Sequence, residues 1–166
     1  MRAENHSTKP SVKLDAITIG VLSDTHGHID PQVMDILGKT DLILHAGDID
    51  RPDVLKALGK VGHIVAVRGN MDYGSWSKEL PQEQVVEAGD ILVYMIHDLH
   101  KISLDPSSAG IHVVISGHTH HQAAFQKNGV LYLNPGSASF PRGGENASIA
   151  LVEIEGNRLT YRHIGF

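Results

Sequence analysis

The sequence predicts a single α/β domain with two sheets and helices on the outside. Short apolar runs alternate with helix signals in the first half of the chain, and hairpin signals follow in the second half. The length of 166 residues suits one hydrophobic core. We expect the polar residues 1–15 to form a mobile tail and residues 16–166 to form the domain.

The first half repeats a unit of strand, loop and helix. Asp30 followed by Pro31 provides an N-cap and a first helical residue, and a second helix is predicted at residues 52–58. Strands separated by helices of this length require right-handed crossovers, which favour a largely parallel sheet. The three strands are predicted at residues 17–22, 42–45 and 64–67.

The second half has the pattern of antiparallel hairpins. Asn128 and Gly129 form the strongest two-residue hairpin signal, because both residues accept the positive φ angles of a type I′ turn. Residues 88–90 and 155–157 are the other predicted turns, and a buried strand is predicted at residues 111–116. The sequence contains no internal repeat or low-complexity linker that would divide the domain.

The composition excludes several kinds of function. Because the chain has no cysteine, a metal must be bound by imidazole, carboxylate, amide or carbonyl groups. A net charge of −5 argues against broad binding to nucleic acid. No apolar run approaches the ~20 residues of a membrane span. Residues 1–15 lack the apolar stretch of a signal peptide, so we expect a cytoplasmic protein.

Metal-binding side chains occupy five loops that follow predicted strands, and four of the twelve histidines are among them. Ligands of open α/β sheets gather beyond the carboxyl ends of strands, so groups far apart in sequence can converge there. Alternate residues of an extended segment project to the same side, which would let both members of each D-x-H or H-x-H pair reach one centre. The seven residues are Asp24, His26, Asp48, Asn70, His97, His118 and His120.

Seven ligands suit two cations that share a carboxylate. Asp48 is the expected bridge, because a carboxylate has two oxygens whereas an imidazole or an amide oxygen gives one bond to an ion. Two such cations lower the pKa of a water held between them and clamp both oxygens of an in-line displacement at phosphorus. The pattern therefore predicts hydrolytic phosphoryl transfer by metal hydroxide, with Asp48, Asn70 and His118 as the catalytic residues.

The series of motifs resembles that of the calcineurin-like metallophosphoesterases. Ser23-Asp-Thr-His-Gly27 and Asn134-Pro-Gly-Ser137, followed by Arg142, resemble the YfcE-like phosphodiesterases of that superfamily. The resemblance implies a four-layer α/β/β/α sandwich of two mixed sheets flanked by helices. It also implies a dinuclear site, commonly loaded with manganese, that hydrolyses phosphodiesters through a metal-bridging hydroxide. The implied ligands are Asp24, His26, Asp48 and His120 for the first ion, and Asp48, Asn70, His97 and His118 for the second.

Several further assignments concern the substrate and the metal. Arg142 and His121, together with Asn70, are the candidates for contacts with the substrate phosphate. His100 competes with His97 as a ligand, and His97 is preferred because it directly ends a strand. Nitrogen and oxygen ligands also accept iron, nickel, cobalt or zinc in place of manganese. We expect a small phosphodiester as the substrate and no membrane or nucleic-acid partner, and a homo-oligomer remains open.

The alternative function is a protein-interaction scaffold, because the same fold resembles a retromer subunit that acts mainly by binding partner proteins. A scaffold has no need to retain a complete set of ligands, whereas all seven positions here are able to bind metal. A large exposed apolar patch would favour the scaffold.

Met71 stands where many members of the superfamily have a histidine, directly after Gly69 and Asn70, and it cannot transfer a proton to a leaving group. A general acid is worth about 10²- to 10⁴-fold in rate for a poor leaving group. We therefore predict faster hydrolysis of activated aryl phosphodiesters than of alkyl ones. The Met71→His variant should narrow the ratio of aryl to alkyl kcat/KM, and an unchanged ratio would contradict this reasoning.

Overall fold

Two five-stranded sheets pack face to face in this computed structural model, which describes residues 16–166. The predicted tail at residues 1–15 lies outside the described residues. The strands are β1 (Ile17–Leu22), β2 (Leu42–His45), β3 (Ile64–Ala66), β4 (Glu83–Ala88), β5 (Ile91–Ile96), β6 (Val113–Ile115), β7 (Gln122–Lys127), β8 (Val130–Pro135), β9 (Ser148–Glu155) and β10 (Arg158–Gly165). The α-helices are α1 (Pro31–Leu37) and α2 (Pro52–Val61).

Both sheets contain parallel and antiparallel pairs. The first sheet has the order β10-β9-β1-β2-β3, in which β1, β2 and β3 are parallel and β9 is antiparallel to both of its neighbours. The second sheet has the order β4-β5-β6-β8-β7, with three parallel strands in the centre and an antiparallel strand at each edge. The predicted parallel arrangement of the first three strands and the three predicted hairpins are confirmed.

The helices begin where the sequence predicts. The Asp30 carboxylate accepts a hydrogen bond from the Gln32 N–H at 2.7 Å and caps α1, which starts at Pro31. Helix α2 continues beyond the predicted end at residue 58, because the residue that terminates it is Gly62. Within residues 16–166, no helix combines the length and the apolar character needed to cross a membrane.

Apolar residues form a core on both faces of the first sheet. One cluster lies between the two sheets and contains residues of both, such as Val21, Leu44, Val93 and Ile115. A second cluster lies between the first sheet and the two helices, with Leu58 at its centre on α2. Each fully buried Val, Leu or Ile side chain stabilises the fold by about 1.5–3 kcal/mol relative to an exposed one. The sheets therefore form a rigid support for the loops at their edges.

The outer face of the second sheet has a thinner cover. Its apolar cluster, which contains Tyr94, is covered by a 3-10 helix at Leu99–Lys101 and by Leu104. Among residues 16–166 neither α-helix packs on this face, and hydrogen bonds of the Asp105 carboxylate to the turn after Pro106 keep the segment irregular. The fourth layer of the sandwich is thus a 3-10 helix with a loop, and it does not extend to the edge strand β7.

His45 at the end of β2 is fully buried and links two loops. Its Nδ1 accepts a hydrogen bond from the Gly47 N–H at 3.1 Å, so its Nε2 carries the proton and donates to Thr25 Oγ1 at 3.0 Å. Burial, reinforced by repulsion from His97, lowers the pKa of His45 from 6.5 to about 3. The ring is therefore neutral and structural.

The free energy of unfolding of the His45→Gln variant should fall less steeply with decreasing pH than that of the wild type. His45 binds a proton near pH 6.5 in the unfolded chain but only near pH 3 in the folded chain, so its stabilising contribution is complete above pH 6.5 and is lost as the pH falls toward 3. Relative to the variant, the free energy of unfolding of the wild type should fall by up to ~1.4 kcal/mol per pH unit between about pH 6 and 4. Urea unfolding in chelator-containing buffers measures this difference. If the free energy of unfolding of the wild type and of the variant changed in parallel with pH, the prediction would be contradicted.

Candidate metal centre

Five loops meet at one edge of the sandwich, beyond the carboxyl ends of β1, β2, β3, β5 and β6. Within the first sheet the Asp24 N–H donates to the Gly47 carbonyl at 3.0 Å, and within the second the Gly117 N–H donates to the His97 carbonyl at 3.0 Å. Between the sheets, the His118 N–H donates to Asp24 Oδ2 at 3.1 Å. These bonds join the loops of both sheets into one structural unit.

The first group of ligand atoms comes from four residues, each of which offers one atom within 4.8 Å of the others: Asp24, His26, Asp48 and His120. His120 Nε2 lies 3.3 Å from Asp24 Oδ1 and 3.2 Å from His26 Nε2. His26 Nε2 lies 3.9 Å from both Asp24 Oδ1 and Asp48 Oδ2. Such a set of two carboxylates and two imidazoles is suited to a transition-metal cation.

The second group consists of Asp48, Asn70, His97 and His118. Asn70 Oδ1 lies 3.0 Å from both His97 Nε2 and His118 Nδ1. His97 Nε2 lies 3.3 Å from Asp48 Oδ2. His97 and Asp48 are buried, whereas Asn70 and His118 are exposed. A molecule from solvent can therefore reach this group on the side of Asn70 and His118.

Asp48 belongs to both groups through one oxygen atom. Its Oδ2 lies 3.9 Å from His26 Nε2 on one side and 3.3 Å from His97 Nε2 on the other. Its Oδ1 accepts a hydrogen bond from the Met71 N–H at 2.8 Å. The sequence suggests a bridge that uses both oxygens, but the structure leaves only Oδ2 between the two groups.

The loops that carry the ligands have a left-handed backbone. Asp24, His26, His118 and His120 have φ angles between 45° and 74°. The expectation of extended segments at the D-x-H and H-x-H pairs was therefore wrong, because an extended residue has a negative φ. A non-glycine residue in this region costs on the order of 1–3 kcal/mol, although Asp and His tolerate it better than most residues. The surrounding hydrogen bonds must offset that cost.

Two glycines allow the loops to approach so closely. A Cβ atom on Gly69 would overlap the carboxylate of Asp48, and one on Gly117 would overlap the side chains of Ser23 and Asp24. A larger residue at either position would displace a ligand carboxylate.

The outward ring nitrogens of three histidines are held by groups that only accept hydrogen bonds. Each Nδ1 therefore carries the proton, and each Nε2 presents a lone pair to the centre when the ring is neutral. The three pairs are His26 Nδ1 with Asp50 Oδ2 at 3.0 Å, His97 Nδ1 with the Ala46 carbonyl at 2.7 Å, and His120 Nδ1 with the Phe140 carbonyl at 2.6 Å.

These hydrogen-bond partners are not among the residues that the sequence predicts for the site. The sequence gives a weak indication that Asp50 belongs to the site, since it follows Asp48 by two residues in a loop beyond a strand. The sequence cannot indicate the carbonyls of Ala46 and Phe140, because every residue has a carbonyl and only the fold brings these two to the histidines.

The donor set fits divalent cations. His26 Nε2 and His120 Nε2 face each other at 3.2 Å, and the buried Asp24 Oδ1 receives no hydrogen bond from any residue in the range 16–166. Lone pairs at such distances repel one another unless a positive charge lies between them, either a proton on an imidazole or a metal ion. Nitrogen and oxygen ligands of this kind bind manganese, iron, cobalt, nickel or zinc.

The pKa shifts reflect the same concentration of acceptors. Burial raises the pKa of Asp24 above its ordinary value. Burial also opposes ionisation of Asp48 and His97, but the hydrogen bond and attraction between the two outweigh it, so the pKa of Asp48 is lowered and that of His97 is raised. The raised pKa of His97 favours a positive charge beside Asp48.

The structure brings all seven predicted ligands into the two groups and leaves other candidates outside them. His100 lies exposed on the 3-10 helix at Leu99–Lys101, whereas His97 is buried beside Asp48. Arg142 is exposed, and His121 Nδ1 pairs with Glu145 Oε1 at 3.0 Å. Within residues 16–166, no hydrogen bond joins the side chain of Arg142 or His121 to a predicted ligand.

A cavity of about 470 Å³ opens beside the second group. Asn70 and His97 form one side of it, and Arg68, Tyr73 and Lys101 line other parts of its wall. Its volume lies in the range of sites that bind small molecules.

Residues 17–157 match the calcineurin-like phosphoesterase superfamily domain. The chain belongs to this superfamily. Two archaeal relatives are named probable metallophosphoesterases. The one from Methanocaldococcus jannaschii is 37% identical over 137 residues, which cover 75% of this chain and 69% of the relative. The one from Methanothermobacter thermautotrophicus is 35% identical over 155 residues, which cover 85% of this chain and 88% of the relative.

Solved structures share the fold of this superfamily member. One, described as a novel archaeal phosphodiesterase, has a TM-score of 0.77 at 26% identity and covers 90% of this chain and 100% of its own. Vps29 from Entamoeba histolytica, solved in complex with zinc, has a TM-score of 0.74 at 22% identity and covers 89% of this chain and 91% of its own. The Vps29 likeness concerns the fold alone. The metallophosphoesterase fold implied by the motifs is confirmed.

The carboxylate of Asp72 holds two of the ligand loops together. Its Oδ1 accepts hydrogen bonds from the N–H groups of Ile49 at 2.7 Å and Asp50 at 2.8 Å. Its Oδ2 accepts from the N–H groups of Asp48 at 3.1 Å and Gly69 at 2.8 Å. Asp72 therefore orients the backbone of these loops.

The Asp72→Asn variant should destabilise the fold by about 3 kcal/mol, because an amide has one acceptor oxygen and its NH2 group would face backbone donors. Urea unfolding with a chelator present measures this loss. Calorimetric titration should also show manganese binding weakened by about 10- to 100-fold.

The matched control for Asp72→Asn is Asp30→Asn, because Asn caps a helix about as well as Asp does. The control should change the free energy of unfolding by less than ~0.5 kcal/mol. Equal stability and equal metal affinity of the two variants would rule out the role assigned to Asp72.

Proposed function

We propose that this chain is a dinuclear metal-dependent phosphodiesterase that hydrolyses small phosphodiesters by in-line attack of water at phosphorus. The observation that carries the proposal is the arrangement of two groups of ligand atoms that share Asp48 Oδ2. Divalent cations bound there would lower the pKa of a water molecule and neutralise charge on the phosphate. The archaeal phosphodiesterase of similar structure supports a diester as the substrate.

The chain would hold the two ions through all seven predicted ligands. Asp48 serves both ions because its Oδ2 faces both groups. The buried half of the centre supplies fixed ligands, and the exposed half, at Asn70 and His118, receives the substrate. The proposed ligands are Asp24, His26, Asp48 and His120 for the first ion, and Asp48, Asn70, His97 and His118 for the second.

Asn70 has two roles in this proposal. Its Oδ1 faces His97 and His118, so it is directed to the metal. The Nδ2 of the same amide then points away from the ligands and can donate a hydrogen bond to a phosphate oxygen. Asn70 thus positions the substrate relative to the metal through one rigid planar group.

Electrostatics favours an anionic substrate at this site even though the chain has a net charge of −5. Asp24 and Asp48 contribute two negative charges to the ligand set, whereas two divalent ions contribute four positive charges. The excess positive charge lies next to Asn70 and His118, where the phosphate would bind.

Manganese as the native metal and two further substrate contacts complete the proposal. The Phe140 carbonyl accepts a hydrogen bond from His120. Arg142 and His121 are close neighbours of these two residues in the sequence. His121 Nδ1 pairs with Glu145, and its Nε2 could contact a phosphate oxygen. Iron, nickel, cobalt or zinc would serve with the same ligands.

A protein-interaction scaffold is the second candidate, and the fold shared with Vps29 supports it. The large exposed hydrophobic side chains of the described residues do not form a single helix or strand face. They are Met71, Tyr73, Val85, Phe125, Phe140 and Tyr161. The two candidates differ in one result, because a scaffold shows no metal-dependent hydrolysis.

Removal and return of metal tests the proposed activity. Hydrolysis of bis(p-nitrophenyl) phosphate should fall by about 10²-fold or more after chelation and should recover when Mn²⁺ is added back. Asp48→Asn and His118→Ala should remain at the chelated level with Mn²⁺ present. Full activity of the chelated wild type would end the proposal.

Matched controls distinguish loss of the centre from general damage. Asp90→Asn, in the exposed turn between β4 and β5, and the exposed His63→Ala remove the same groups away from the ligands. Both controls should keep activity within about twofold of the wild type, since surface changes of this kind are nearly neutral. Inactivity of the wild type with every metal tested would favour the scaffold.

A further inference from the structure

A second cavity, of about 240 Å³, opens beside His118 in the exposed half of the centre. His118 lines it together with its neighbours Gly117 and Thr119. Asp98 lines both this cavity and the larger one, so the two cavities adjoin. A group bound in the smaller cavity would lie directly beside the ligand that is proposed to face the phosphate.

The cavity exists because the cover of the second sheet ends early. The 3-10 helix at Leu99–Lys101 packs over the apolar cluster of the central strands. The cluster includes no residue of edge strand β7, and Ala123 and Phe125 of that strand are exposed. Leu99 and His100 form one wall of the cavity, and Ala123 and Phe125 form another. The small side chain of Ala123 provides space between them.

The wall contributed by the sheet is an aromatic platform. Phe125 of β7 lies directly opposite Tyr132 of β8 in the hairpin register. Their rings are stacked, with centroids 4.9 Å apart and planes 3° from parallel. Phe125 is still 49% exposed, so a large part of its ring contacts no protein group. An exposed ring that is already held in one orientation can stack against a ligand at little entropic cost.

The polar groups in the wall do not require a polar ligand. Asn134 Nδ2 donates to the Gly117 carbonyl at 2.9 Å and to Thr119 Oγ1 at 3.1 Å, and its Oδ1 accepts from the Gly136 N–H at 3.0 Å. The carboxylate of Asp98, which accepts from the His100 N–H at 3.0 Å, would repel an anionic group. The cavity therefore favours a neutral apolar ring.

We propose that this cavity binds one aromatic ester group of the phosphodiester, a neutral planar ring of the aryl class, stacked on Phe125. The proposal rests on the function proposed above, because it places the ring beside the phosphate at His118. The volume is below the roughly 300–1,000 Å³ of sites that bind drug-sized molecules, so it suits one ring and not an extended polymer. Such a stack adds about tenfold in affinity.

Two phosphonates that differ only in the ring test the subsite. Phenylphosphonate and methylphosphonate present the same anionic group to the metal, but only the former can stack. Calorimetric titration of the manganese-loaded protein should give a Kd about tenfold lower for phenylphosphonate. The constants for competitive inhibition of bis(p-nitrophenyl) phosphate hydrolysis should show the same ratio. Equal Kd values in the wild type would overturn the subsite.

Three variants test whether the tighter binding of phenylphosphonate depends on this cavity. Phe125→Ala removes the platform, and Ala123→Leu fills the space, so each should bring the ratio of the two Kd values close to one. Methylphosphonate binding should stay within about twofold in both, because neither residue contacts the ligand groups. Tyr161→Ala, which removes a similarly exposed ring from β10 of the other sheet, should keep the tenfold ratio.

The outcomes separate the two proposals. If the wild type hydrolyses the diester and binds both phosphonates equally, the phosphodiesterase function stands and the aromatic subsite is wrong. The subsite is also wrong if the Kd values for methylphosphonate and phenylphosphonate still differ about tenfold in both Phe125→Ala and Ala123→Leu. If no phosphonate binds and no diester is hydrolysed with any metal, both proposals fail.

Discussion

The Nε2 atoms of His26, His97 and His120, Asp24 Oδ1 and Asp48 Oδ2 point into one small volume, in which the chain supplies lone pairs and few donors. The mutual repulsion of these acceptors is the constraint on which the site depends. It requires positive charge at the centre, and it requires a scaffold strong enough to hold the acceptors together before that charge arrives. The shifted pKa values of Asp48 and His97 are one expression of this constraint.

The scaffold meets this requirement by fixing the backbone of the loops. Five of the seven candidate ligands, Asp48 among them, have a left-handed backbone, which is unfavourable unless the surrounding structure determines it completely. Hydrogen bonds between the loops, the carboxylate of Asp72 and the close approach at Gly69 provide those surroundings. The apolar core beneath the loops stabilises the sheets to which the loops are attached. The candidate ligands contribute to this support, because Asp24 Oδ2 accepts from the His118 N–H and Asp48 Oδ1 accepts from the Met71 N–H.

The thin fourth layer connects the fold to the choice of substrate. A full helix over the second sheet would cover Phe125 and close the space beside His118, whereas the 3-10 helix at Leu99–Lys101 leaves both open. One cavity is lined by Asn70 and the other by His118, and Asp98 lines both. A phosphodiester has a group on each side of its phosphate. If the proposed function holds, the cover of the second sheet would contribute to substrate specificity.

The sequence by itself determined the elements and the identities of the seven residues that the structure brings together. Strand periodicity, the Asp30 cap and the Asn128-Gly129 turn act over a few residues, so they can be read locally. The placement of ligands after strand ends is also local, because the carboxyl ends of parallel strands share one edge. Only the tertiary structure decided the shared oxygen of Asp48, the left-handed backbone, the carbonyl partners of the histidines, the four bonds of Asp72 and the cavity at Phe125. These features depend on contacts between residues such as His26 and His120, which are 94 positions apart and meet only when the two sheets pack.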